Sequence, residues 1–326
     1  MKVYRGLPNE DARMPCALAI GNFDGVHRGH QAMLARMGEA AACLKLSTAV
    51  MTFEPHPREY FAALSGDPGK APTRIANLRD KLQALANAGV DRVIVEHFNA
   101  GFAAMAPLDF IERIVVQGMQ AKWLIVGEDF RFGAKRAGDI GMLMEAGKRY
   151  GFEVEALPTV LNAGTRISSS AVREALACGD FAQVRQMLGQ PYAISGRVIH
   201  GQKLGRNLGF PTLNLRIAHK RPALSGIFVV QVHGLAEHAL PAVASLGIRP
   251  TVDDSGRVLL EVHVFDFSQA CYGKLVRVEF IAKLRDEEKY QDLATLTAAI
   301  ERDAQQARDY FRNKGDTPAR GLASQS

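Results

Sequence analysis

Apolar residues fall along this chain in two rhythms, and the change between them divides it. From Ala17 to about Leu176, short apolar runs alternate with segments whose apolar residues recur at helical spacing. The runs "ALAI" at 17–20, "STAVMTF" at 47–53, "DRVIVEHF" at 91–98, "KWLIVG" at 122–127 and "FEVEALP" at 152–158 predict strands. Between them Gln31–Leu44, Asn77–Ala88, Leu108–Val116 and Ile140–Arg149 predict helices. Strict alternation requires crossover connections, which give a largely parallel sheet covered on both faces. Ligands of such sheets bind beyond the carboxyl ends of the strands.

The second rhythm has strands without long helices between them: "YAISGRVIH" at 192–200, "GIFVVQVHG" at 226–234, "PAVASLG" at 241–247, "RVLLEVHVFDF" at 257–267 and "LVRVEFIAKL" at 275–284. Short strands joined by Gly and Pro predict an antiparallel barrel or sandwich. Leu293, Leu296, Ile300, Ala304, Ala307 and Phe311 then form one stripe of a closing helix. The expected organisation is a domain over 1–187, a second over 188–313, and a disordered tail over 314–326 that lacks apolar periodicity.

Composition narrows the class. The 326 residues, 47% hydrophobic and 23% charged, suit a soluble globular protein with two cores. A net charge of +6 fits anionic small substrates as well as nucleic acid and does not choose between them. Cys16, Cys43, Cys178 and Cys271 lie far apart without metal-ligand spacing, which predicts free thiols in a reducing cytoplasm. The segment "MKVYRGLPNEDARM" carries no secretory pattern, and no run approaches the ~20 apolar residues of a membrane span. No membrane partner is expected, and the oligomeric state is not readable.

Candidate chemistry begins where "ALAI" runs into "GNFDGVHRGH", 21–30. Residues three apart in a first helical turn share a face, so His27 and His30 can address one spot. Backbone N–H groups and the positive dipole end project there as well, which suits phosphate. Gly25 and Gly29 allow close approach to the backbone. The alternative is a tight strand-to-helix turn with surface histidines.

The stretch "GNFDGVHRGH" resembles the signature of the nucleotidyltransferase superfamily, whose H-x-G-H element is shared with class I aminoacyl-tRNA synthetases. Together with "FEPHPREYF" at 53–61, "VGEDFRFG" at 126–133 and "RISSSAVR" at 166–173, in that order, it resembles the bacterial bifunctional riboflavin kinase/FAD synthetases. Ser170 stands where that family commonly has Thr. The resemblance implies a Rossmann-like α/β nucleotidyltransferase domain, with a parallel sheet, that joins FMN to ATP and releases pyrophosphate. It implies that His27 and His30 contact ATP phosphates as catalytic residues, with Gly21, Asn22, Phe23 and Asp24 binding the nucleotide. Ser168, Ser169 and Arg173 would clamp the triphosphate. Gly127, Asp129 and Phe130 would line the adenine and flavin side, and Pro55 and His56 would lie near the FMN phosphate. Beside this stand plainer roles: a helix N-cap for the serines and a rigid turn for "EPHP".

In the second half, "GRVIHGQKLGRNLGFPTLNL" at 196–215 lacks the Lys-Ser/Thr of a Walker A loop and instead resembles the flavokinase signature. The resemblance implies an antiparallel β-barrel riboflavin kinase domain with a closing helix. Gly201, Gly205, Arg206, Gly209 and Phe210 would wrap ATP, and Thr212 and Asn214 would offer oxygens to Mg²⁺. A Gly-rich hairpin with a structural Pro-Thr is the plainer alternative. "SLGIRPT" at 245–251 resembles another family element, with Ser245 in place of the usual Asn.

Strand alternation puts Glu261, His263, Phe265 and Phe267 on one face. A carboxylate among apolar strand residues is costly without a task. By resemblance, Glu261 is the general base for the riboflavin hydroxyl. "KLRDEEKY" at 283–290 would close on the flavin, with Arg285 and Glu288 as binding residues; a solvated charge cluster is the alternative. The implied ligands are ATP, riboflavin, FMN, FAD and Mg²⁺, with no nucleic acid. Two rivals remain: a nucleotidyltransferase acting on tRNA, opposed by the lack of a K-M-S-K-S element, and a flavin-sensing protein derived from a kinase fold.

Overall fold

A computed structural model describes residues 1–162, 165–201, 209–217, 221–248 and 258–315. The chain divides into two compact units, Met1–Val172 with Met187–Gly189, and Arg173–Gln186 with Gln190–Ser326.

The first unit is built on strands β1 (Lys2–Arg5), β2 (Cys16–Ile20), β3 (Ser47–Glu54), β4 (Arg92–His97), β5 (Ala121–Gly127) and β6 (Glu153–Leu157). They form one sheet in the order β1-β4-β3-β2-β5-β6, every pair parallel. Helices α1 (Arg28–Leu44), α2 (Pro57–Leu64), α3 (Leu78–Asn87), α4 (Ala100–Ala103), α5 (Pro107–Asp109) and α6 (Ile140–Tyr150) lie between the strands. Both sheet faces are buried, as crossover connections demand. Leu18, Ile20, Met51, Leu124 and Val126 pack on Phe110, Ile111, Ile114 and Leu143. Their alternating neighbours Ala17, Ala19, Val50, Val93 and Ile125 pack on Met33, Leu34 and Met37 of α1 and Leu85 of α3. The chain leaves β2 toward β3 on one side, while β5 lies on the other. This reversal opens a crevice at the carboxyl ends of β2 and β5, where "GNFDG" and "GEDFRFG" begin. A short pair, β7 (Leu161–Asn162) and β8 (Thr165–Arg166), precedes α7 (Ser169–Cys178).

Several elements depart from the sequence expectation. Strand β1 and helix α2 were not expected. The helix expected over 108–116 is the single turn α5 followed by a π-helical stretch, Phe110–Gly118.

The second unit contains α8 (Phe181–Leu188) up to Gln186 and six strands: β9 (Ala193–Ile199), β10 (Leu213–Arg216), β11 (Gly226–His233), β12 (Leu240–Ile248), β13 (Val258–Val264) and β14 (Leu275–Arg285). They close into a barrel in the order β10-β13-β12-β11-β14-β9, all antiparallel, with β9 pairing β10 to seal it. A barrel, not a sandwich, is therefore the architecture, and β10 is the strand the sequence pattern did not reveal. Alternation places Val258, Leu260, Val262 and Val264 in the interior, leaving Leu259, Glu261 and His263 on the opposite, half-buried face. Strand β13 ends at Val264, and Asp266 turns the chain with φ 54°. Phe267 thus lies beyond the strand rather than on the face of Glu261.

Helix α9 (Leu293–Gly315) packs Ala304 and Ala307 against Val229, Val243 and Phe265. Its buried stripe takes in Ala299 and Asp303, whereas Leu293, expected in that stripe, is exposed. Lys314 and Gly315, assigned to the tail by sequence, end this helix; 316–326 lie outside the described residues.

Candidate functional sites

The turn after β2 is tightly constrained backbone. Phe23, Gly25 and Val26 have φ of 48°, 82° and 42°, and two of these are not glycine. Such conformations persist only where surroundings over-determine them, and they gather at functional sites. Phe23 is fully buried beneath the turn, and its ring lies 5.0 Å from that of His30. The imidazoles of His27 and His30 stack at 3.8 Å with 16° between planes. His27 is the N-cap of α1: its Nδ1 accepts from the His30 N–H at 3.3 Å. Gly29 leaves room for that ring, since a Cβ there would meet His27 at 3.2 Å. Burial, followed by the neighbouring His27 and Lys81, holds the His30 imidazole well below its ordinary pKa of 6.5. It is neutral at physiological pH, and its Nδ1 is buried with no partner among the described residues. The same holds for Oδ1 of Asn22.

Asp24 has a different task. It is 1% exposed, and its carboxylate accepts from the N–H groups of Ile75 at 3.3 Å and Ala76 at 3.2 Å. Its carbonyl accepts from Ser169 Oγ at 3.2 Å, which fastens the start of α7 to the turn. Ser168 Oγ accepts from the Ala171 N–H at 3.2 Å, a helix N-cap. Arg173, further along α7, is half-buried and belongs to the second unit.

Beside the turn is a cavity of about 560 Å³, lined by Gly21, Asn22, Phe53, His56, Phe98, Phe102, Phe110, Phe130 and Phe132. Phe130 and Phe132 stack at 5.7 Å, and the other neighbouring rings meet edge-on or tilted at 5.2–6.1 Å. Arg58, Arg131, Lys135 and Arg136 add cations to the lining. The result is a flat-walled apolar slot with positive charge beside it, suited to an aromatic ligand bearing an anionic arm. His56 caps α2 by accepting from the Arg58 N–H at 3.1 Å, and Glu59 returns to the His56 N–H, completing a capping box. Pro57 sits at the first helical position. Asp129 also lines the cavity and pairs with Arg166 at 3.0 Å; Gly127, which closes β5, lies against its carboxylate.

In the barrel, the register places Asn214, Glu261 and Ser245 directly opposite one another on adjacent strands β10, β13 and β12. Directly paired residues share a face with Cβ atoms about 5 Å apart. The Asn214 carboxamide is buried, and its Oδ1 has no partner among the described residues. Gly201 is required beside it, because a Cβ there would fall 2.4 Å from Asn214 Nδ2. Glu287 lies over Gly247, and burial and then the charge of Glu261 raise its pKa, against the lowering effect of Arg285.

A second cavity, about 450 Å³, is lined by Gly209, Pro211, Thr212, Val262, Phe267 and Tyr272, among others. Phe210 packs edge-on against His263 at 5.4 Å. Gly205 and Arg206, with the rest of 202–208, lie outside the described residues. Arg285 is committed elsewhere: its guanidinium makes a two-point contact with Asp303 of α9 at 2.9 and 2.6 Å. Glu288 is exposed, 3.9 Å from Arg285, and accepts from Tyr290.

Comparison with known proteins finds a match for each half of the chain. The family model described as FAD synthetase matches residues 9–171, and that described as riboflavin kinase matches 188–311. The bifunctional riboflavin kinase/FMN adenylyltransferase of Escherichia coli (strain K12) is 44% identical over 313 residues, covering 95% of this chain and 98% of the relative. The protein of the same name from Haemophilus influenzae is 44% identical, covering 96% of this chain and all of its own. This chain belongs to the bifunctional riboflavin kinase/FMN adenylyltransferase family.

Among solved structures, one named a macrolide-efflux protein from Streptococcus pneumoniae aligns with a TM-score of 0.74 at 28% identity, covering 95% of this chain and 99% of its own. No helix among the described residues is long and apolar enough to cross a membrane. The family's small-molecule chemistry, with ATP, riboflavin, FMN and FAD as its substrates and products, fits an aromatic slot with anionic reach in one unit and an unpaired amide oxygen beside a carboxylate in the other.

Sequence reasoning missed most of the slot. Phe53, Phe98, Phe102 and Phe110 come from β3, the β4–α4 turn, α4 and the π-helical stretch, and no local spacing joins them. Lys81 was also missed, because a lysine in an amphipathic helix reads as solvated.

Proposed function

We propose that the two reactions of the family are divided between the units, each run by its own residues. The chain phosphorylates riboflavin with ATP to FMN and ADP, then transfers an adenylyl group from a second ATP to FMN, giving FAD and pyrophosphate. The observation that carries the division is that the two family models match separate stretches, 9–171 and 188–311, which fall almost wholly in separate compact units.

In the first unit, the FMN ring enters the aromatic slot and its phosphate turns toward the strained loop. There it attacks the α-phosphorus of ATP, and the bond to pyrophosphate breaks. His30 presents its unpartnered ring nitrogen to the phosphates, and His27 holds the helix start that orients His30; the Asn22 amide oxygen accepts from the nucleotide's donor groups. No covalent nucleophile is needed; fixed donors that meet developing charge supply the rate. Ser169 acts by fastening α7 to the turn, and Ser168 by capping it.

In the second unit, Glu261 takes the proton of the riboflavin hydroxyl as its oxygen attacks the γ-phosphorus of ATP, with ADP leaving. A positioned base adds about 10²–10⁴-fold. Glu287, close enough to feel the charge of Glu261, shares that face. Mg²⁺ fits this unit: Asn214, through its buried, unpartnered Oδ1, and Thr212, through its hydroxyl, are hard oxygen donors that would hold the ion together with nucleotide phosphate. Bound Mg²⁺ neutralises phosphate charge. We place the chemistry in a reducing cytoplasm, where four unpaired cysteines are at home.

Purified protein incubated with riboflavin, ATP and Mg²⁺, its products separated by chromatography, tests the assignment. FMN should appear first and FAD follow; a mixture containing neither overturns it.

A further inference from the structure

Behind the strained turn lies a lysine that the chemistry above does not use. Lys81, on α3, is 1% exposed. Lysine is almost never fully buried unless its ammonium is paired. Its Nζ donates to the main-chain carbonyl of Asn22 at 2.8 Å and to Thr52 Oγ1 at 3.3 Å; that hydroxyl donates to the same carbonyl at 3.0 Å. The ammonium therefore has no carboxylate hydrogen-bonded to it among the described residues. It is spent on a backbone oxygen of "GNFDG", at the residue before Phe23 turns left-handed.

We propose that Lys81 is a positioning residue for adenylyl transfer: its buried ammonium ties the Asn22 carbonyl and Thr52 to α3, and so holds the Gly21–Val26 turn in the shape that presents Asn22 and His30 to nucleotide. The proposal rests on the reading that this turn receives the ATP phosphates. The alternative, a lysine that merely fills space, does not explain the bond to a strained loop. Hydrophobic side chains of the same length fill space more cheaply than a desolvated ammonium.

Five charged or titratable groups act on Lys81 or feel its charge. Asp24 of the turn, Glu54 at the end of β3 and Glu59 of α2 favour the ammonium, while Arg74 disfavours it; His30 of α1 feels the lysine charge in turn. Arg74, buried between Glu54 and Glu59, stays charged, and His30 is neutral well above acid pH. Burial outweighs the carboxylates, and Lys81 is brought down to about 8. Lys81 therefore changes charge between about pH 7 and about pH 9.5, where FMN and ATP phosphates are already ionised. A neutral amine still donates, but with roughly half the strength of a charged donor.

The test compares Lys81→Met, Lys81→Arg and the wild type for FAD synthesis from FMN and ATP across that pH range. Riboflavin phosphorylation by the same preparations and thermal melting serve as folding controls. Lys81→Met should lower kcat/KM for FAD synthesis about 10- to 100-fold, the worth of a charged hydrogen bond to the loop, and leave FMN formation intact. The wild-type rate should fall above about pH 8; this alkaline limb should vanish in Lys81→Met and move to higher pH in Lys81→Arg, which also recovers activity. Should Lys81→Met fail to fold, Thr52→Val carries the test. Loss of the hydroxyl weakens the charged form, so the limb must move to lower pH.

An unchanged rate and pH profile in the folded variant overturns the proposal. If His30→Ala blocks FAD synthesis while Lys81→Met does not, only this inference falls. If neither variant matters, the reading of the turn falls with it.

Discussion

Gly25→Ala is the sharpest single perturbation of the adenylyl-transfer site. Gly25 has φ 82°, and an added Cβ would stand 2.6 Å from Cγ2 of Ile75. Two costs arise. A side chain in the left-handed region costs about 1–2 kcal/mol. Ile75 must also move, and overpacking of a filled core costs about 1–3 kcal/mol. Ile75 cannot move alone, because its N–H is bonded to the buried Asp24 carboxylate.

The penalty therefore falls on the loop itself, at about 2–5 kcal/mol in total, and a value near 3 kcal/mol shifts the ratio of native to displaced turn about 150-fold. FAD synthesis from supplied FMN should fall by about that factor, measured as kcat/KM for ATP. FMN formation, run by the barrel, should stay within twofold and report that the chain is folded. A variant that makes FAD within threefold of the wild-type rate refutes the claim that the exact shape of this turn carries the reaction.

Other perturbations separate the two sites. Glu261→Gln should lower FMN formation about 10²–10⁴-fold while FAD synthesis from supplied FMN continues, read by product chromatography; equal loss of both steps contradicts separate sites. His27→Ala removes a helix cap and should cost about 1 kcal/mol in thermal melting of the first unit, as well as blocking FAD synthesis. Because His30 is held below its ordinary value of 6.5, the unfolded chain binds a proton there before the folded one does. Its contribution to stability is thus present above pH 6.5 and lost as pH falls below it, and denaturant melts from pH 7.5 to pH 5 should show a loss that His30→Gln abolishes. Arg285→Ala strips the buried Asp303 of its two-point partner and should cost about 3 kcal/mol, about 150-fold in folding equilibrium, by loosening α9 from β14; an unchanged melt refutes the pairing.

The central strands were legible because burial on both faces makes them short unbroken apolar runs, as in Cys16–Ile20 with all five residues buried. The barrel strands announced themselves by alternation, β13 most clearly. Helix α2 was hidden because Pro55 and Pro57 read as a turn, whereas Pro57 starts the helix and His56, an uncommon cap, accepts from the Arg58 N–H. Strand β10 was hidden inside a Gly-rich signature and spans only four residues. Within the site, local spacing showed that His27 and His30 meet, but not that His27 spends a ring nitrogen capping α1. Asp24 looked like a ligand because it sits in the motif; only the fold reveals the amides of Ile75 and Ala76 that claim it. Phe98, Phe102 and Lys81 act through contacts distant in sequence, which periodicity does not encode.

Separate chemistry in separate units has a direct consequence when two damaged chains are combined. Glu261→Gln alone should give no FAD from riboflavin, and His30→Ala alone should stop at FMN. An equimolar mixture of the two, supplied with riboflavin, ATP and Mg²⁺, should make FAD through free FMN, made by one chain and adenylylated by the other. A mixture that accumulates FMN without FAD, or makes neither, contradicts the account.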